Sequence, residues 1–310
     1  MVLPILIYTA AAIFLMGNLY RFIRIARMPV HLRWELYPVP HESRLKRRYG
    51  GSYMEEDDWW TKSMNPNRAG ELGVMLPEIL LLKGVWEHNR PLWFWSWLMH
   101  WGLYLLVAAA ALFVVGAGWE AAGYGVVARG GGMLGGGFYL AATACLWAAF
   151  TIGIIGAVGV IILRLFSRKL RLFTSFGTLF NLALILAIFA LGLMSLLAER
   201  DAVRQIFAWT RQLVTLAPPP QLDGILTAFL TLLGVFLVYF PFTHMTHAFL
   251  KWFTYHSVRW DDAPLAMTAK LNRRIDKALH YPVSWSAPHI RGDGKKTWVD
   301  VATEEVKKSG

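Results

Sequence analysis

Three histidines lie in apolar stretches of this 310-residue chain, and they are its best candidates for chemistry. His100 lies in WSWLMHWGLYLL, and His244 and His247 lie in VYFPFTHMTHAFLKW, with no histidine between residues 101 and 243. An ionisable side chain inside a membrane is costly and often marks a functional site. One imidazole from each of two facing helices is typical of a haem b with both axial positions filled, which transfers electrons instead of binding oxygen. These residues therefore predict a buried bis-histidine haem.

The second axial ligand is either His244 or His247. On a continuous helix these two residues, three positions apart, lie on adjacent parts of one face, and only one of them can take the position. The other suits a hydrogen bond to a haem propionate or to a quinone. Propionates are anionic and need cationic partners. The basic residues on the same predicted side of the membrane are Arg90, Arg164, Arg168 and Lys251. The alternative is that these histidines are structural polar groups near helix ends, within an interfacial belt of tryptophans.

The composition places these histidines in a membrane protein. The chain is 56% hydrophobic and only 16% charged, with 15 tryptophans. Its apolar residues form five blocks, each long enough to cross a hydrocarbon core of about 30 Å at about 1.5 Å per helical residue. The blocks are Val2–Tyr20, Leu92–Gly118, Met133–Leu163, Leu172–Ala198 and Leu222–Leu250. We predict an all-α integral membrane bundle of five transmembrane helices with cytoplasmic extensions.

Two function classes are excluded by residue counts and positions. The chain has a single cysteine, Cys145, which excludes an iron–sulfur cluster ligated by its own cysteines and any intramolecular disulfide. The net charge of +11 does not indicate nucleic-acid binding, because the basic residues flank the apolar blocks as membrane topology requires.

The positions of lysine and arginine predict the orientation in the membrane. Basic residues cluster after the first and third blocks, at Arg21, Arg24, Arg27, Arg164, Arg168, Lys169 and Arg171. Such segments remain in the cytoplasm, so we expect a multi-pass protein of the cytoplasmic (inner) membrane with its N-terminus outside and its C-terminus in the cytoplasm. The predicted division is transmembrane helix 1 in 1–25, a cytoplasmic segment in 26–91, helices 2–5 in 92–250 and a cytoplasmic tail in 251–310.

Two stretches of the polar regions have distinct patterns. Residues Glu71–His88 alternate apolar and charged positions at near-helical spacing, which predicts either an interfacial helix or an ordinary helix packed on a partner. Residues Trp285–Asp300 show little periodicity. We expect this part of the tail to need a partner surface in order to become ordered.

The residues already described resemble a known family over all five helices: the membrane cytochrome b, or gamma, subunit of respiratory nitrate reductase and its relatives. The likeness is carried by His100 early in helix two, by TRQLVTLAPPPQLDG at Thr210–Gly224 and by FPFTHMTH at Phe240–His247. In that family the last histidine of the final motif is a haem ligand. The resemblance therefore implies that His247, and not His244, shares the iron with His100.

The chain departs from this family at the second haem, which lies nearer the outer face. The family's ligand positions for that haem correspond here to Ala110 and to residues 229–232, none of which is a histidine. We therefore expect one haem b and no outer haem. A second haem would have to take its ligands from His88, His256 or His244, nearer the cytoplasm.

The polar segments resemble one branch of the superfamily, the cytochrome b subunits of transmembrane redox complexes in sulfate-reducing and related anaerobes. The similar stretches are RWELYPVPHE at Arg33–Glu42, GSYMEEDDWW at Gly51–Trp60 and SWSAPHIRGDGKKTW at Ser284–Trp298. The resemblance implies a heterodisulfide-reductase-like iron–sulfur partner in the cytoplasm, with further membrane or cytochrome c subunits as an open addition.

The expected function is electron transfer between menaquinone, as substrate, and that iron–sulfur subunit. Two rival hypotheses are a membrane anchor without a cofactor that recruits a soluble redox enzyme, and a transporter, which would require broken helices and polar groups at the membrane midplane.

Overall fold

The computed structural model describes residues 2–28, 39–52, 55–62, 67–127, 132–260, 269–287, 290 and 292–304. Within these ranges it is helical, with two isolated β-bridges and no strand, so the predicted all-α class is confirmed. Parts of the three stretches that resemble the anaerobe subunits lie outside the described residues, namely residues 33–38, 53, 54, 288, 289 and 291. The α-helices are α1 (Val2–Ala26), α2 (Arg44–Tyr49), α3 (Arg68–Leu80), α4 (Lys83–His88), α5 (Arg90–Ala121), α6 (Gly132–Phe166), α7 (Arg168–Arg171), α8 (Phe176–Ala198), α9 (Ala202–Val214), α10 (Gly224–Tyr239), α11 (His247–Phe253), α12 (Ala269–Leu279) and α13 (Trp298–Thr303).

Among the described residues, five helical stretches are long and apolar enough to cross a membrane. They are α1, α5, α6, α8 and the stretch Gly224–Phe242, which consists of α10 and a short 3-10 segment. The first four overlap the first four predicted apolar blocks over most of their length. The chain is therefore an all-α, multi-pass membrane bundle, as predicted.

The fifth membrane helix ends earlier than its apolar block. Pro241 lies in the 3-10 segment Phe240–Phe242, and Thr243 then adopts an extended backbone with φ −115° and ψ 173°. Proline cannot donate the next helical hydrogen bond, so a helix commonly ends or kinks there. A second 3-10 turn, His244–Thr246, follows, and α11 begins at His247. A continuous fifth helix up to Leu250 is therefore wrong.

Small residues bring α5 and α6 into close contact. Gly102 of α5 faces Gly153, and a Cβ atom added to Gly156 would overlap the backbone of Met99. Glycines at such positions allow two membrane helices to pack backbone to backbone. This contact turns the Met99 and Gly102 side of α5 towards α6, so that His100 lies on a different face.

The other end of α5 is held by an ion pair with a buried carboxylate. The Arg204 guanidinium of α9 donates to the Glu120 carboxylate, whose side chain is 4% exposed, and also to the carbonyl of Val126. On the same side of α9, the ring of Phe207 packs on Phe113 of α5 at 4.5 Å between ring centres. The segment after α8 is therefore an amphipathic helix attached to α5.

We predict that Glu120→Gln lowers the free energy of unfolding by about 2–3 kcal/mol, because it leaves the guanidinium without its carboxylate. The estimate is below that for a fully buried pair because the Arg204 side chain is 40% exposed. Thermal unfolding in detergent measures the loss. The control is Glu87→Gln, which breaks the exposed Lys83–Glu87 pair of α4 and should change stability by less than about 0.5 kcal/mol. Equal losses in the two variants would contradict a stabilising role of the Glu120–Arg204 pair.

The chain divides into two compact units, one of Met1–Pro29 with Val74–Phe253 and one of Val30–Gly73 with Thr254–Gly310. The second unit combines the two polar regions. Its Glu71 carboxylate, 6% exposed, lies 3.2 Å from Nε2 of His256 and 3.1 Å from the guanidinium of Arg68. The two regions, each too small for a domain, therefore fold together.

The described part of the C-terminal tail is held together by hydrogen bonds between its own residues. The N–H of Val283 donates to the carbonyl of Lys296 at 2.8 Å, and Val283 is 1% exposed. Thr297 and Asp300 form a capping box at the start of α13. The hydrogen bond from the Thr297 backbone N–H lowers the pKa of the Asp300 carboxyl. The described part of Trp285–Asp300 thus has hydrogen bonds of its own, and the expectation that it needs a partner in order to become ordered stays a prediction.

Candidate functional site

His100 and His247 lie next to each other in the structure. Their ring centres are 6.3 Å apart, and their ring planes are inclined by 64°. An imidazole nitrogen lies about 1.1 Å from its ring centre and about 2 Å from a bound metal, so two imidazoles that share one metal have ring centres about 6.2 Å apart. The observed separation therefore matches that of two axial ligands of one iron.

The hydrogen bonds of the two rings leave the lone pair of each ring on the same nitrogen. Nδ1 of His100 donates to the carbonyl of Ser96 at 2.7 Å, and Nδ1 of His247 donates to the carbonyl of His244 at 3.0 Å. A carbonyl oxygen can only accept, so in each neutral ring the proton is on Nδ1 and the lone pair is on Nε2. Such bonds to the distal nitrogen orient a metal-binding histidine and increase its basicity.

The helices near the two imidazoles pack mainly on different neighbours. In the described part of the chain, α5 packs mainly on α4, α6 and α9, whereas α10 packs mainly on α1 and α8. Trp97 lies on the same face of α5 as His100, and its buried indole N–H has no acceptor among the described residues. A buried donor of this kind suits an anionic acceptor such as a carboxylate.

His244 occupies a different environment from His247. The amide Nδ2 of Asn181 on α8 lies 3.4 Å from Nδ1 of His244, and the hydroxyl of Tyr239 donates to Oδ1 of the same amide at 2.9 Å. Nδ1 of His244 is thus the acceptor, which places its proton on Nε2. Both histidines follow the break at Thr243 and lie in one helical run, but they contact different helices: His244 lies beside Asn181 of α8, and His247 lies beside His100 of α5.

Arg21 of α1 holds the turn that precedes His247. Its Nη1 donates to the carbonyl of Thr243 and to the hydroxyl of Thr246, both at 2.7 Å. Thr246 is 2% exposed. These bonds satisfy groups that the helix break leaves without helical partners. The sequence indicated Arg21 only as a topology charge, and nothing in its spacing to residue 243 or 246 could have shown this contact.

The corner between α3 and α4 lies against the face of α5 that carries His100. Three aromatic side chains of α5 donate to the carbonyls at the end of α3: Trp93 to Leu81 at 2.6 Å, Trp101 to Leu80 at 3.1 Å and Tyr104 to Ile79 at 2.8 Å. The ring of Tyr104 also lies 6.3 Å from that of His100. The aromatic residues around His100 therefore cap the C-terminus of α3, a role beyond that of an interfacial belt.

The four basic residues predicted to bind propionates have different surroundings. The Nζ of Lys251 lies 2.8 Å from Oε1 of Glu78, and the guanidinium of Arg90 lies 4.8 Å from the ring centre of Trp86. Arg164 contacts the Thr174 hydroxyl at 3.5 Å, and its buried Nε has no acceptor in the described residues. Arg168 is exposed at the start of α7. Of these four residues, Lys251 lies on the same helix as His247, α11, four residues after it.

The residues considered for a second haem have other contacts. Nδ1 of His88 lies 2.7 Å from the carbonyl of Gly84, and His256 contacts Glu71 in the second unit. At the positions that correspond to the outer haem, Ala110 is exposed and the ring of Phe229 packs on Phe150 at 5.5 Å. The expectation of a single haem stays a prediction.

Comparisons with protein-family models, with characterised proteins and with solved structures find no match to this chain. Among the residues that the structure describes, no group of three or more histidine, cysteine, aspartate or glutamate side chains could hold a metal ion. The paired imidazoles of His100 and His247 are therefore the feature on which a functional argument has to rest.

Proposed function

We propose that this protein is a membrane cytochrome b subunit that transfers electrons between menaquinone and an iron–sulfur partner in the cytoplasm. The observation that carries the proposal is the 6.3 Å separation of His100 and His247, with the lone pair of each ring on Nε2. The resemblance of the FPFTHMTH motif to the nitrate reductase gamma subunits supports it independently, because there the last histidine is a haem ligand.

In this proposal the haem b supplies one-electron chemistry, and the chain supplies ligands and orientation. Nε2 of His100 and Nε2 of His247 would hold the iron of such a haem, which suits electron transfer and not oxygen binding. The carbonyls of Ser96 and His244 hold the rings through their Nδ1 protons. Arg21 holds the turn before His247, and the glycines of α6 hold α5.

His244 is assigned to hydrogen bonding and not to the metal. Because its Nδ1 accepts from Asn181, its Nε2–H is a donor. A donor of this kind suits a carbonyl of menaquinone or a haem propionate. Of the predicted propionate partners, Arg164 has a buried donor without an acceptor in the described residues, which favours it over Arg168.

The proposed location is the cytoplasmic membrane, with the N-terminus outside and the second unit in the cytoplasm. The basic residues after the first and third membrane helices support this orientation. The second unit would then bind a heterodisulfide-reductase-like iron–sulfur subunit, with lipid around the helices and room for further membrane or cytochrome c subunits.

The haem content of the detergent-purified protein tests the proposal. A pyridine haemochrome assay is expected to give about one haem b per chain, with a reduced-minus-oxidised spectrum of a six-coordinate, low-spin haem. A chain that contains no haem despite adequate haem supply during expression would refute the proposal. That result would favour the alternative, a membrane anchor without a cofactor that recruits a soluble redox enzyme through its second unit.

A further inference from the structure

Glu78, near the end of α3, makes a set of contacts that the proposed electron transfer does not use. Its Oε1 accepts from Nζ of Lys251 at 2.8 Å, and its Oε2 accepts from the backbone N–H of Gly84 at 2.9 Å. The two side chains are only 15% and 25% exposed. A pair that is this little exposed is screened much less by solvent and salt than a surface pair. Its charges therefore act on neighbouring groups.

This pair joins the two elements that carry the axial imidazoles. Lys251 lies four residues after His247 on α11, and positions i and i+4 share one face of a helix. On the other side, the α3 carbonyls next to Glu78 accept from Trp93, Trp101 and Tyr104 of α5, which carries His100. The pair therefore links the element that carries His247 to the corner that contacts the element that carries His100.

We propose that Glu78 and Lys251 set the reduction potential of the iron that His100 and His247 hold. The inference rests on the proposed haem. Reduction adds one electron to the iron, and a nearby carboxylate disfavours that step while a nearby ammonium favours it. With both charges present the two effects largely cancel, and Gly84 and Lys251 keep the carboxylate in place.

The size of the effect follows from Coulomb's law. A unit charge about 10 Å from the iron, at an effective dielectric constant of about 20, changes the equilibrium between ferric and ferrous haem on the order of tenfold. Removing the negative charge of Glu78 therefore favours ferrous haem, and removing the positive charge of Lys251 favours ferric haem. Shifts of the reduction potential in opposite directions indicate an effect of charge. A loss of packing alone would not raise the potential in one variant and lower it in the other.

The test is a spectroelectrochemical titration of the purified full-length protein and its variants. In Glu78→Gln we expect the ratio of ferrous to ferric haem at a fixed ambient potential to rise on the order of tenfold, which is an upward shift of about 59 mV for a one-electron couple. In Lys251→Gln we expect a shift of similar size downward. The double variant should return close to the wild-type potential. Glu78→Asp keeps the charge and should stay near the wild-type potential even if it weakens the contact with Gly84.

The matched control is Glu87→Gln. It removes a carboxylate from the adjacent helix α4, but this side chain is 52% exposed and its charge is screened, so the potential should change little. An unchanged potential in Glu78→Gln, or shifts in the same direction in Glu78→Gln and Lys251→Gln, would overturn the inference while the haem proposal stands. If Glu78→Gln does not accumulate, Lys251→Gln alone decides, because only a downward shift agrees with the inference. A wild-type protein without haem overturns both.

Discussion

Replacing His100 or His247 by alanine is expected to abolish haem binding, with the haem content per chain falling about tenfold or more. Each substitution removes one of the two imidazoles, whose ring centres lie 6.3 Å apart. A single imidazole binds the iron more weakly and leaves one axial position open, so any residual haem should be high-spin. Pyridine haemochrome assays and reduced-minus-oxidised spectra of the purified variants measure both effects.

His244→Ala is the control that distinguishes the two candidate ligands on either side of Met245. Because its Nδ1 accepts from Asn181, its Nε2 carries the proton and is not available to a metal. This variant should therefore keep its haem and a low-spin spectrum. His88→Ala, which removes an exposed imidazole bonded to Gly84, should also keep its haem. A haem content and spectrum unchanged in His100→Ala or His247→Ala would refute that residue as a ligand, and loss in His244→Ala alone would exchange the roles of His244 and His247.

Gly156→Ala is expected to lower the free energy of unfolding by about 1–3 kcal/mol, the usual cost of adding volume to a filled core. The added Cβ would overlap the backbone of Met99 and the carbonyl of Trp95, and a helix backbone cannot move aside as a flexible side chain can. The two helices would have to separate. Because Met99 precedes His100, the same displacement should weaken haem binding. Thermal unfolding and haem content measure the two effects.

Gly137→Ala is the matched control in the same helix. A Cβ atom at Gly137 has no neighbour within 4 Å among the described residues. We therefore expect no loss of stability and no loss of haem, with a gain of up to about 1 kcal/mol from the higher helix propensity of alanine. Similar behaviour of Gly156→Ala and Gly137→Ala would show that the close contact between α5 and α6 does not position His100.

The break in the fifth membrane helix comes before both of its histidines. Pro241 and the extended backbone of Thr243 end the membrane-spanning helix, and Arg21 holds the turn that follows. His244 and His247 are three residues apart in the helical run after the break, so their spacing does not distinguish them. Their contacts with other helices do, because His244 lies beside Asn181 of α8 and His247 lies beside His100 of α5.

The apolar blocks alone determined that the chain is an all-α membrane bundle with five spans. The thickness of the hydrocarbon core fixes the length of a membrane-spanning helix. A run of apolar residues of that length can therefore be recognised from the sequence alone. The scarcity of histidines in those blocks likewise indicated His100, His244 and His247, since polar groups are costly there. The acidic Glu78 inside the run LPEILLL was a similar signal, but its partner Lys251 lies too far away in the sequence to be recognised.

Only the tertiary structure decided how these residues meet. The end of the fifth helix at Phe242, the contacts of Arg21 with Thr243 and Thr246, and the joining of both polar regions through Glu71 and His256 all depend on residues more than 180 positions apart or on a backbone break. Sequence periodicity reports the face of one element at a time. Which faces come together depends on the packing of all the elements, and no pattern within a single segment contains that information.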